Sequence, residues 1–196
     1  MDTTYPILGV RVPVLRTLTR HFSIENLEFW KTISLDAREA ILIYGFGLSK
    51  CNYEFKEFCN WLEVLFPVFD NWEATDIISS SLKPWKNWLK EGYSYLETLL
   101  SNENPFVGRF AIVMYLNYYM KTEYFDDCLK IIAPLKSEHY YVKMAIAWFM
   151  SMAYVKDPKK TSIYFQKLDA WTYQKTIQKC RESRQIPLPN RKMVQF

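Results

Sequence analysis

Nearly every segment of this chain reads as helix, and the breaks between segments are short. Apolar residues recur at helical spacing along residues 13–22, 25–33, 35–49, 53–66, 72–82, 85–100, 105–120, 124–134, 138–155, 158–168 and 171–183, with gaps of about two to five residues. Connections that short join antiparallel neighbours. Start signals sharpen several of the boundaries: Ser34-Leu35-Asp36 before an apolar run, Asn71 as an N-cap, and Asn104-Pro105 with proline at the first helical position. No segment combines strand periodicity with hairpin chemistry, and five glycines in 196 residues argue against a turn-rich β architecture. The expected fold is all-α, a single domain over residues 1–196.

Three of the helices share a spacing that suggests a repeat. Thirty-seven positions separate Trp72 from Arg109 and thirty-nine separate Arg109 from Trp148. That is the period of two-helix solenoid units, which stack into a curved array with a concave face. A residue recurring once per unit lines one inner surface.

Trp72 opens the stretch "NWEATDIISS", whose periodicity puts Ala74, Ile77, Ile78 and Ser81 on one face and Trp72, Thr75, Asp76 and Ser79 on the other. The first set is expected to pack. The second places an aromatic plate and a carboxylate one turn apart where a packing helix normally carries Lys and Glu, so Asp76 is a candidate functional acid. Arg109 is the only charge in "PFVGRFAIVMYLNYYM". In so apolar a helix a guanidinium must meet a carboxylate, Asp76 or another, or reach an anion such as phosphate. Gly108 beside it leaves room for another backbone or a nucleic-acid strand. Trp148 lies in "VKMAIAWFMSMAYV", apolar almost all round, where a core role and an exposed one both fit the pattern.

Other chemistries are disfavoured. There is no G-x-S-x-G, P-loop or H-E-x-x-H pattern, and two histidines leave little scope for a Ser/His/Asp arrangement. Cys51, Cys59, Cys128 and Cys180 form no C-x-x-C pair and share no zinc-like spacing with His21 or His139, so inert thiols in a reducing compartment are expected, with no metal and no cofactor. The start "MDTTYPILGVRVPV" lacks the layout of a secretory signal, and the longest apolar stretch carries Lys143, so the expected setting is cytoplasmic, without membrane contact. A formal charge of +4 permits an anionic partner.

Five segments, "ILGVRVPVLRTLTR", "NWEATDIISSSLK", "NPFVGRFAIVMYLNYY", "YYVKMAIAWFMSMAYVKDP" and "WTYQKTIQKCRESR", occur in an order and spacing that resemble the DNA alkylation repair enzyme family, the HEAT-like-repeat DNA glycosylases of AlkD type. The resemblance implies an all-α solenoid of antiparallel helix pairs, HEAT-like repeats, whose basic concave face binds double-stranded DNA. The implied activity is hydrolytic excision of N3- and N7-alkylated purines by a monomer. The family's functional set maps onto Trp72, Asp76 and Trp148 as catalytic residues and Arg109 as the phosphate contact, with Lys143, Lys156, Lys159, Lys160 and Lys179 on the DNA backbone. Relatives usually carry one or two further helices before the "GVR-x-P-x-LR" segment, which here follows about eight residues, so the domain is expected to be N-terminally short. Two other readings stay open: a solenoid that binds distorted or branched DNA without catalysis, and a helical scaffold for another protein.

Overall fold

The computed structural model describes residues 3–21, 32–50, 54–184 and 186; the expected helix at 25–33 and Cys51 lie largely or wholly outside them. Among the described residues all regular structure is helical: α1 (Val12–Leu18), α2 (Arg38–Leu48), α3 (Phe55–Glu63), α4 (Trp72–Ser81), α5 (Leu89–Leu99), α6 (Pro105–Tyr118), α7 (Phe125–Ile132), α8 (Tyr140–Lys156), α9 (Pro158–Ser162) and α10 (Ala170–Glu182). The chain forms two compact units, Met1–Phe110 and Ala111–Phe196, and the division falls inside α6.

Several expected helices begin or end in 3-10 turns. Residues 53–66 split into α3 and a turn at Phe66–Val68, and residues 85–100 into a turn at Lys83–Trp88 followed by α5. Pro67 and Pro84 sit inside these turns, where a missing N–H and a fixed φ are tolerated. The start of α2 differs too. Ala37, not Ser34 or Asp36, stands at its N-cap without a side-chain cap, and the Arg38 N–H donates to the Pro6 carbonyl at 3.0 Å.

In the first unit α2 packs on α1, α3 and α4. Nearly all of "REAILIYGFGL" is buried, and it lies tightly against α4 at Gly45: a Cβ there would lie 2.5 Å from Ile78 Cγ1. Gly92 does the same for Trp85, whose indole lies 2.7 Å from where a Cβ would be. Trp85 is fully buried and meets Phe55, Phe58 and Tyr95 in an aromatic cluster. In the second unit α8 is the central helix, packed on α7, α9 and α10 through Ala145, Ile146, Phe149, Met150 and Ala153.

Three of the four cysteines, Cys59, Cys128 and Cys180, are buried free thiols, and burial pushes each of them up to about 12. Among the described residues no helix is long and apolar enough to cross a membrane, and no group of three or more His, Cys, Asp or Glu is placed to hold a metal ion.

Candidate functional site

The site grows from the start of α4. Asn71 caps the helix, its side-chain oxygen accepting from the Ala74 N–H at 3.0 Å, while its amide donates to Asp70 at 2.6 Å. This cap fixes the first turn, and Trp72 at its head stays 42% exposed. Asp76, one turn on, is reached by Arg109 from α6.

That contact answers the question the sequence leaves open about Arg109. Its Nε donates to Asp76 Oδ1 at 3.0 Å and its Nη2 to Oδ2 at 2.7 Å, a two-point fork on a planar carboxylate. The side chains are only 7% and 16% exposed, so the pair is largely withdrawn from water. The Thr75 hydroxyl oxygen lies 3.3 Å from Oδ1. The result is an acid whose plane and direction are set by two aligned donors from α6.

The helical-wheel assignment of α4 needs one correction. Thr75 and Ser79, expected on the open face, are fully buried, and Ile77, expected to pack, is half-buried. The reason is local hydrogen bonding: Thr75 Oγ1 donates to the Trp72 carbonyl at 2.9 Å and Ser79 Oγ to the Asp76 carbonyl at 3.0 Å. A hydroxyl satisfied by its own helix costs little to bury, so α4 packs on a wider arc than polarity suggests. Trp72 and Asp76 are what remains of that face toward solvent, with Glu73 beside them. Gly108 is likewise buried, and the backbone it approaches is the protein's own: a Cβ there would lie 3.4 Å from the Leu100 carbonyl oxygen, an ordinary contact.

A second charged network supports the first turn of α4, and helical periodicity alone does not reveal it. Arg38 donates through Nε and Nη2 to the two oxygens of Glu73, both at 2.8 Å, and through Nη1 to Glu39 at 3.3 Å. Glu39 in turn accepts the backbone N–H groups of Leu8, Gly9 and Val10 at 2.9, 3.1 and 3.2 Å. Gly9, at φ +80, takes the left-handed backbone that turns these N–H groups toward one carboxylate. Burial alone would push the Glu39 carboxyl up; the Leu8 and Val10 N–H groups and Arg38 outweigh it and hold it below the ordinary range. Asp70 is held low in the same way, burial being outweighed by Thr4, Asn71 and Thr3. The available signal was that Arg38 and Glu39 are the only charges in α2, so both needed partners in a buried helix.

In the second unit Trp148 is half-buried, on a stripe of α8 with Tyr141, Met144, Met152 and Val155, all half-buried and all apolar or aromatic. The lysines divide. Lys156 donates to the Met120 carbonyl at 2.6 Å and lies 3.7 Å from the centroid of the Phe125 ring; Lys160 bridges both oxygens of Asp126 at 2.9 and 2.8 Å; Lys143 meets Asp169 at 3.3 Å. Lys159 is exposed and Lys179 half-buried.

An oriented acid one turn from an exposed indole, in a chain whose regular structure among the described residues is all helical and which carries the five segments above, accords with the comparison with known families. The family model for DNA alkylation repair enzyme matches residues 1–182. No curated protein and no solved structure gives a match. Covering nearly the whole chain, the family match is decisive: this protein belongs to the DNA alkylation repair enzyme family.

Proposed function

We propose that the protein is a monofunctional DNA glycosylase that binds duplex DNA and releases N3- and N7-alkylated purines by hydrolysis of the N-glycosidic bond. The observation that carries this reading is Asp76, fixed by the Arg109 fork and set one turn from the exposed Trp72. An N3- or N7-alkylpurine is already cationic, so it leaves without a general acid, and a site without histidine is sufficient. What must be supplied is negative charge for the oxocarbenium-like sugar that forms as the bond breaks. Asp76 supplies it and positions the attacking water; a preorganised carboxylate in a dry site contributes roughly 3 kcal/mol, about a hundredfold in rate.

Trp72 offers an aromatic face to the deoxyribose and the cationic base, and Trp148 a further one on its own helix. Arg109 orients Asp76 and shares its charge with the phosphate next to the lesion. Lys159 and Lys179, together with Lys143, Lys156 and Lys160 as their internal partners exchange for phosphate, hold the backbone without reading sequence. In this reading the helix pairs are HEAT-like repeats with DNA along their concave side.

The ion pair itself favours one rival. A carboxylate already neutralised by Arg109 suits a protein that binds distorted DNA without excising a base. Single-turnover release of free base from duplex DNA containing N7-methylguanine or N3-methyladenine separates the two. Release by the wild type and its loss in Asp76→Asn, with DNA affinity kept or raised, is the expected result. DNA binding without release by the wild type would establish the rival.

A further inference from the structure

Away from Asp76, the second unit gathers Lys143, one of the lysines assigned above to the DNA backbone, into an aromatic and cationic cluster with Tyr140, Trp171 and Lys175, which the reading above does not use. Tyr140 opens α8 and Trp171 lies in the first turn of α10, and the two helices pack on each other. Tyr140 is 54% exposed, yet its ring is held by edge-on contacts, 5.6 Å from Trp171 and 5.1 Å from Tyr141. Lys143 and Lys175, each about one turn beyond one of these rings, both place Nζ over the Trp171 ring, 5.2 and 5.8 Å from its centroid.

A carboxylate, Asp169, faces the cluster, and its charge is already engaged. Asp169 caps α10, accepting from the Trp171 and Thr172 N–H groups at 3.1 Å each and from the Thr172 hydroxyl at 2.6 Å, besides meeting Lys143. Lys175 also donates to Gln178 at 2.9 Å. Two lysines gathered on one indole have given up much of the rotamer freedom that normally makes lysine a costly ligand to order. An exposed, pre-oriented ring beside two ordered ammonium groups is complementary to a partner that alternates anions with flat faces, which describes a nucleic-acid strand.

We propose that Tyr140, Trp171, Lys143 and Lys175 form a second nucleic-acid contact, in which the lysine pair binds phosphates and Tyr140 stacks on an unstacked nucleotide of the same strand. The proposal rests on the DNA-binding reading above and adds to it a place where the strand is held by stacking as well as by charge.

The test uses the full chain and a labelled duplex carrying N7-methylguanine next to a single-stranded overhang, with affinity measured over a salt series. Lys143→Gln/Lys175→Gln should flatten the logarithmic salt dependence by about two, near one for each phosphate no longer neutralised. Lys143→Arg should keep the wild-type slope. Tyr140→Ala should bind about tenfold more weakly, Tyr140→Phe close to wild type, and 5-iodouracil in the overhang should photocross-link to Tyr140. Variants that melt like the wild type but keep its slope and affinity would overturn this second contact while leaving the glycosylase reading intact. A wild type that binds no DNA would overturn both.

Discussion

Asp76 and Arg109 show how much two side chains define when they share a nearly dry environment. The fork needs a planar guanidinium, so Arg109→Lys should keep a charge near Asp76 but give up one of its two aligned hydrogen bonds. Base release under single-turnover conditions should fall about tenfold or more, because the carboxylate is no longer held in a fixed plane. Arg109→Gln leaves Asp76 without its counter-charge and should cost about 2 kcal/mol in urea unfolding, a figure reduced from fully buried pairs because Asp76 keeps some water contact. If Arg109→Lys releases base as fast as the wild type, the two-point fork is not what prepares Asp76 for the reaction. The sequence made the need for a partner plain, since Arg109 is alone in an apolar helix, but several acids were available and only the approach of α6 to α4 selects Asp76.

At the scale of the element, α4 depends on its cap and on one glycine in its neighbour. Asn71→Ala removes the acceptor for the Ala74 N–H and should cost about 1 kcal/mol, read as a lower urea midpoint at unchanged slope. Gly45→Ala tests the packing of α2 on α4. Helix propensity favours alanine by about 1 kcal/mol, but the new methyl would meet Ile78, a β-branched and fully buried side chain that cannot swing away. Overpacking of this kind costs about 1–3 kcal/mol, so the net change should be destabilising, and Ile78→Val in the same chain should recover part of it. A more stable Gly45→Ala would show that α2 and α4 separate easily. Periodicity located α4 well because Asn71 and the apolar spacing agree; it misjudged Thr75 and Ser79 because hydroxyls that bond their own helix do not behave as polar surface.

For the molecule as a whole, acid is the informative stress. Glu39, Asp70 and Asp169 are all held below the ordinary carboxyl range in the folded protein. For a depressed carboxyl the stabilisation is fully present above its unfolded pKa, about 4, and is lost as pH falls through the lower folded value. Unfolding free energy from urea titrations should therefore be flat from neutrality to about pH 5 and drop steeply below about pH 4. Glu39→Gln should lower stability at neutral pH and shallow the acid limb, whereas a limb identical to the wild type would mean that Glu39 titrates as it does in the unfolded chain. Because Glu39 ties Leu8, Gly9 and Val10 to Arg38, and Arg38 ties α2 to Glu73, the same variant should also loosen the turn that presents Trp72.

By itself the sequence determined that the regular structure among the described residues is helical, where several of the helices lie, and that Arg109 needs a partner. These follow from local chemistry: the 3.6-residue period of apolar side chains, caps such as Asn71, prolines that open or shorten helices, and a lone charge such as Arg109 that an apolar helix cannot leave unpaired. Only the tertiary structure decided the pairings. Arg109 to Asp76 spans 33 positions, Arg38 to Glu73 spans 35, and Lys160 to Asp126 spans 34. Nothing local distinguishes these partners from the other acids in the chain. They are chosen by which helix faces are pressed together once apolar surface is buried, and that is settled by packing between elements.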